Sequence, residues 1–207
     1  MQFNEAQIQA IQHNTGPCMV IAGPGSGKTT VLTHRVRYLI ERYGVNPSDI
    51  LVITFTKAAA EQMKFKFKGL SEGRSSAVTF GTFHAVFFTI LKAAYNYSAH
   101  CIIKPQIQHE FVKDQMCRLE LEYDDENEAV AGVLSEISCV KGEDVNIDEY
   151  ESRCIPPQSF RIMYRAYDDM LVRKHLIDFD DMIVQCRELL MQREDYRRAW
   201  QNKYKYI

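Results

Sequence analysis

No run of apolar residues in this chain approaches the ~18 that a membrane-spanning helix needs. The opening MQFNEAQIQA has no basic patch followed by an apolar stretch, so no secretory signal is expected. The six cysteines stand at 18, 101, 117, 139, 154 and 186, never as C-x-x-C and with no histidine pair beside them. That spacing argues against a zinc site and against a disulfide framework. Reduced thiols in a cytoplasmic protein are expected, each cysteine serving as a small buried apolar residue. Charge of one sign is also missing: 25 Lys and Arg meet 27 Asp and Glu, for a net charge of -2. Any case for nucleic acid must therefore come from local features. There is no internal repeat and no low-complexity segment. What remains is ordinary globular composition, 46% hydrophobic and 25% charged over 207 residues, enough for one large domain or two small ones.

Cys18-Met-Val-Ile-Ala22 is a short apolar run between turn signals and reads as a buried strand. From Thr29, the residues Val31, Leu32, Val36, Leu39, Ile40 and Tyr43 recur at helical spacing, and Gly44 ends the helix. Ile50 to Phe55 reads as a second buried strand, so strand, loop, helix and strand form a βαβ unit with a parallel sheet. The alanines at 58–60 favour a helix, Lys64 to Lys68 alternates and fits helix or strand, Ala77 to Phe80 reads as a strand and Thr82 to Ala94 as a helix. Beyond Tyr95 the pattern is almost wholly helical. Residues 120–128 hold six carboxylates in nine positions and read as a solvated turn. Pro156-Pro157 precedes a helix bearing Phe160, Met163, Tyr164, Tyr167, Met170 and Leu171, and Asp178 is placed to cap another.

The strongest signal is Ala22-Gly23-Pro24-Gly25-Ser26-Gly27-Lys28-Thr29, a phosphate loop with Ala at the first small position. Its glycines let the backbone turn N–H groups toward phosphate oxygens. Lys28 offers positive charge to the β and γ phosphates, Thr29 a hydroxyl to Mg²⁺, and the following helix its positive end. Hydrolysis also needs a strand ending in an acidic residue. Leu176-Ile-Asp178 is the nearest candidate and is too short. The last residues, Lys203 to Ile207, alternate like the start of a strand, so the chain is expected to stop before that acidic strand with its sheet unfinished.

In order along the chain, these segments resemble the N-terminal part of the UvrD/PcrA/Rep-like superfamily-one DNA helicases. Phe3-Asn4-Glu-Ala-Gln7-Ile-Gln-Ala10 looks like the Q motif and Ala22 to Thr29 matches motif I. Ile53 to Met63 looks like motif Ia, and Gly81-Thr-Phe-His-Ala85 matches the TFH segment. Leu176 to Ile183 is similar to the LDFDDLI stretch, and Tyr204 to Ile207 to the strand that runs into the DExx box. The resemblance covers essentially the whole chain and implies ATP and Mg²⁺ as cofactors. The implied nucleotide set is Gln7, reading the adenine edge, with Ala22, Gly23, Pro24, Gly25, Ser26, Gly27, Lys28, Thr29 and Thr30. Of these, Lys28 and Thr29 are the implied catalytic pair and Thr29 the metal ligand. Thr54, Phe55, Thr56, Thr82 and His84 are the implied contacts to single-stranded DNA, with Phe55 stacking on a base. On residues alone, Gln7 is equally an exposed helix residue, Phe55 a core residue at a strand end and His84 a structural histidine. Two departures stand out: Lys57-Ala58 replaces the usual Asn-Lys pair of motif Ia, and Thr30 stands where some relatives carry an adenine-stacking Arg.

Local charge points the same way. Lys57, Lys64, Lys66, Lys68 and Arg74 face only Glu61 and Glu72, and seven of the eleven phenylalanines fall between 55 and 88. A solvated helix face beside a Phe-rich core fits these residues as well.

The expectation is thus an α/β chain with an incomplete RecA-like P-loop sheet and an all-helical insertion. Residues 1–94 with about 192–207 would form the ATP-binding subdomain and about 95–191 the insertion. The implied function is the ATP-binding part of a 3′-5′ DNA helicase or translocase in DNA repair or replication. It would work with a second RecA-like domain of the same parent chain, and the fragment alone would lack ATPase activity. The helicase part of a helicase-nuclease, a different P-loop NTPase and a non-catalytic binding module stay open as alternatives.

Overall fold

The structure is a computed structural model, and it describes residues 2–71, 77–143 and 145–207. In chain order the main elements are α1 (Glu5–Gln12), α2 (Lys28–Tyr43), β1 (Leu51–Thr54), α3 (Lys57–Leu70), β2 (Thr79–Thr82), α4 (Phe83–Tyr95), α5 (Pro105–Arg118), α6 (Glu126–Gly142), α7 (Pro157–Arg173), α8 (Phe179–Gln192) and α9 (Glu194–Lys203). The chain is mixed α/β and mostly helical. It divides into two compact units, Met1–Val86 with Glu194–Ile207 and Phe87–Arg193.

In the first unit β1 and β2 pair in parallel, from Leu51 opposite Thr79 to Thr54 opposite Thr82. Helix α3 is the crossover between them, as a parallel pair requires. The C=O and N–H of one trans peptide group point in opposite directions. The Ile50 carbonyl accepts from Thr79 N–H on one side, and Leu51 N–H donates to the Tyr206 carbonyl on the other. Tyr206 therefore stands beside β1 opposite β2, in a parallel bridge with Ile50. Asp49 fixes this end of the chain: its carbonyl accepts from Lys205 and Tyr206 N–H, and its carboxylate pairs with the Lys205 ammonium at 2.8 Å. Among the described residues, Val36, Leu39, Ile50, Phe67 and Val78 form one apolar cluster and Ala10, Ile11 and Val31 another.

The alternating Lys64–Lys68 stretch is helical. Phe67 is 1% exposed and Phe65 78% exposed, because residues two apart on a helix face opposite ways. The strand expected at Cys18–Ala22 does not form. Residues 17–23 carry no strand, and Ile21 is 92% exposed. A buried strand needs paired neighbours and cover on both faces. Among the described residues β1 and β2 pair with each other and neither reaches this segment. The βαβ unit is β1–α3–β2 instead.

The second unit is helical throughout α5–α8. Its core holds Val112, Met116, Val130, Val133, Ile137, Phe160, Met163 and Tyr167, each at most 2% exposed. The acidic stretch is an exposed turn through Glu120, Glu122 and Asp124 and then a helix start: Asp125 caps α6 through Glu128 N–H, and Glu126 and Glu128 occupy the first turn, where the helix dipole favours negative charge. Asp178 caps α8 in a reciprocal box with Asp181. Lys141 lies buried among Asp168, Asp178 and Asp181, with ammonium–carboxylate distances of 3.1, 2.9 and 2.8 Å. Burial opposes the charge of Lys141, yet Asp178 and Asp181 outweigh it and hold the ammonium above its ordinary range. Asp181 is pushed up to about 6 by burial and by the charge of Asp178, against the pull of Lys141.

All six cysteines are free thiols, but the expectation that all are buried fails. Cys186 is buried, Cys101 is half-buried, and Cys18, Cys117, Cys139 and Cys154 are exposed. Cys117 and Cys139 fall on outward positions of α5 and α6, and Cys18 on the uncovered 17–23 segment, so apolar character alone did not carry them inward.

Candidate nucleotide loop and sheet edge

Residues 22–27 bend into the start of α2 without a strand before them. Gly25 and Gly27 take φ of +74° and +83°, left-handed values that a side chain resists. Gly27 is also the N-cap of α2 and supplies no side-chain cap. The first N–H groups of a helix have no intrahelical partner. Those of Gly25, Gly27, Lys28, Thr29 and Thr30 donate to no described residue, while Ser26 N–H donates to the Gly23 carbonyl at 3.3 Å. Lys28 folds back over the bend, its ammonium donating to the carbonyls of Gly23 at 2.8 Å and Ala22 at 3.2 Å. Unsatisfied donors, a helix dipole and one mobile ammonium thus converge on an exposed loop, a combination suited to an anion. The half-buried Thr29 hydroxyl at the same helix start is the oxygen ligand the loop offers to a cation. Among the described residues no group of three or more His, Cys, Asp or Glu could hold a metal by itself.

Gln7 reaches this loop from α1. It closes a capping box with Asn4: Asn4 Oδ1 accepts from Gln7 N–H at 2.9 Å, and Gln7 Oε1 accepts from Asn4 N–H at 3.0 Å. Its Nε2 donates to the Ser26 carbonyl at 3.1 Å. An amide has two donor hydrogens and two acceptor lone pairs, so one of each remains for a base edge.

The DNA candidates lie together at the carboxyl end of the sheet. Thr54 and Thr82 face each other as the last pair of the two strands. Phe55 follows β1, is 89% exposed, and lies against the Phe83 ring with centroids 5.5 Å apart. The strand thus ends one residue before Phe55, and Phe55 is not in the core. The Thr56 hydroxyl accepts from Ala59 N–H at 3.2 Å as the cap of α3, and the Thr82 hydroxyl accepts from Ala85 N–H at 3.2 Å. Each cap uses a lone pair and leaves the hydroxyl hydrogen to donate. Thr54 differs, since its hydroxyl donates to the Thr56 carbonyl at 2.9 Å. His84 is half-buried in the first turn of α4. On α3, Lys57 pairs with Glu61 at 3.9 Å, and Arg74 and Glu72 lie outside the described residues.

Residues 3–207 match the family model described as the UvrD/REP helicase N-terminal domain. The chain belongs to the UvrD/REP helicase family. It is similar over its whole length to the ATP-dependent DNA helicase Rep of Escherichia coli K12, at 33% identity and covering 31% of that protein. The ATP-dependent DNA helicase PcrA of Staphylococcus epidermidis is 30% identical over 99% of this chain and 29% of its own length. PcrA of Staphylococcus aureus is 29% identical over the same shares. The chain thus spans less than a third of the curated relatives it matches.

Within this UvrD/REP domain, sequence reasoning missed residues that act through others. Asn4 had a readable signal, since Asn-x-x-Gln is a capping-box pattern. Phe83, the ring partner of Phe55, sat inside the TFH segment without being singled out. Arg35 and Tyr43, which hold α1 from α2, left no local signal, because their partners are backbone carbonyls more than twenty residues away.

Proposed function

We propose that the first unit is the ATP-binding, RecA-like part of a DNA helicase or translocase, with the helical unit as its insertion. The observation that carries it is the bend at Gly25–Gly27, whose free N–H groups and the Lys28 ammonium share one exposed helix start. The triphosphate would lie along Gly23 to Thr30, with Lys28 moving from the loop carbonyls to the β and γ phosphates. That ammonium stabilises negative charge developing on the γ-phosphoryl oxygens. Thr29 fits magnesium, which keeps several waters and takes few protein ligands when phosphate oxygens supply the rest. When bound, Mg²⁺ would neutralise phosphate charge.

Single-stranded DNA would cross the carboxyl end of the sheet, the edge at which open α/β sheets bind ligands. The exposed Phe55 ring would stack on a base, and Thr56, Thr82 and His84 would meet the backbone. The placement of Tyr206 beside β1 supports a larger parallel sheet, which a RecA-like domain needs. Similarity to Rep and PcrA supports ATP as the nucleotide and DNA as the track. Family resemblance alone carries 3′-5′ polarity, a second RecA-like domain, a role in DNA repair or replication and a cytoplasmic location. By the same resemblance, this chain alone would turn over negligible ATP.

Titration of the chain with ATP and Mg²⁺ tests the reading. Lys28→Ala is expected to weaken ATP binding about ten- to a hundredfold, the worth of a charge-assisted contact, and to leave DNA binding unchanged. Equal ATP affinity in the variant would reject it.

A further inference from the structure

Helix α1 is eight residues long, too short to hold itself in water. Its position decides where Gln7 sits. The N-terminal end is fixed by the Asn4 box and the Gln7 contact to Ser26. At its other end the last carbonyls need donors, and α1 has no basic residue in its last turn. Helix α2 supplies them. Arg35 Nη1 donates to the carbonyls of Ala10, at 3.1 Å, and His13. The Tyr43 hydroxyl donates to the Gln12 carbonyl at 3.0 Å. Between the two ends Ala10 and Ile11 pack on Val31, with Phe3 and Tyr38 beside them.

Arg35 stands seven residues after Lys28, about two turns along the same helix. One rigid element therefore carries the phosphate-binding lysine at its start and the α1 clamp two turns later. We propose that Arg35 is a positioning residue for base selection: by holding the carbonyl end of α1 against α2, it sets the distance between Gln7 and the phosphate loop, and so fixes the adenine edge relative to the triphosphate. The proposal rests on Gln7 reading the base. Arg35 stands two turns from the loop, and a guanidinium is suited to the task because the two N–H groups of Nη1 lie in a rigid plane and meet the Ala10 and His13 carbonyls in fixed directions, which the rotating ammonium of a lysine does not reproduce.

The test measures affinities of the full chain for ATP, GTP and inorganic tripolyphosphate, each with Mg²⁺. Arg35→Lys keeps the charge and the packed stem. It is expected to lower the ATP:GTP affinity ratio at least about threefold toward the ratio of Gln7→Ala, with tripolyphosphate affinity unchanged. Arg35→Ala is expected to reach the Gln7→Ala ratio. Should it fail to fold, as circular dichroism would show, Arg35→Lys decides. A wild-type ratio in Arg35→Lys, alongside a lowered ratio in Gln7→Ala, overturns the positioning role and spares the reading of Gln7. Ratios unchanged in both variants overturn the reading of Gln7 and the inference with it. A parallel loss of tripolyphosphate affinity in Arg35→Lys also overturns the inference, because the defect is then in the loop itself.

Discussion

The helical unit buries an ammonium among three carboxylates and seals a core around Val112, Phe160 and Tyr167, whereas the loop-bearing unit leaves Met19, Val20, Ile21, Phe55 and Phe65 in solvent and packs smaller apolar clusters around Phe67 and around Ile11. In the helical unit a buried ammonium finds its carboxylate partners inside the fold. In the other, backbone donors, a lysine and aromatic rings are left accessible. The difference separates residues that hold structure from residues available to ligands, and it predicts that mutations in the two units fail in different assays.

The largest expected effect is in the helical unit. Lys141→Ala strands Asp168, Asp178 and Asp181 together and should destabilise the unit by about 3–5 kcal/mol. Urea unfolding of the chain checks this, and a loss under about 1 kcal/mol would break the contrast. Next is Phe55→Ala, which should leave unfolding unchanged and weaken single-stranded DNA binding by about 1–3 kcal/mol, the worth of one stacked base. Fluorescence anisotropy with labelled oligonucleotides of mixed sequence reads it.

A smaller effect sharpens the view of the buried network. The pKa of Asp181 is raised from 3.8 to about 6, so the native state holds this proton where the unfolded chain releases it. Its stabilising contribution is full below about pH 4 and is lost as pH rises through about 6, at no more than ~1.4 kcal/mol per pH unit for one proton. Stability of the wild type relative to Asp181→Asn should therefore fall across that window and level off above it. Smallest is Asn4→Ala, which removes the cap of α1 and should cost about 1 kcal/mol in thermal or urea unfolding.

Much of this was legible in the sequence, for local reasons. The apolar spacing after Thr29 gave α2, Gly44 with φ of +66° ended it, and Asp178 capped α8. A glycine bend followed by Lys-Thr announced a helix start, and the helix begins at Lys28. What failed depends on neighbours. Whether Cys18–Ala22 becomes a strand is settled by what pairs with it, and a five-residue apolar run does not encode its partner. Phe55 was open between core and surface because its position turns on β1 stopping at Thr54. The Lys141 cluster was invisible, since its carboxylates come from residues 27 to 40 positions away and only packing brings them together.

The central claim is that the N–H groups from Gly25 to Thr30 cradle phosphate. Amide ¹H–¹⁵N spectra of the chain, titrated with tripolyphosphate and then ATP in the presence of Mg²⁺, test it most directly. The amides of Gly25, Gly27, Lys28 and Thr29 are expected to shift with both ligands, and the Gln7 side-chain amide with ATP alone. Shifts confined to other residues, or saturating ligand with those four amides unmoved, would contradict it.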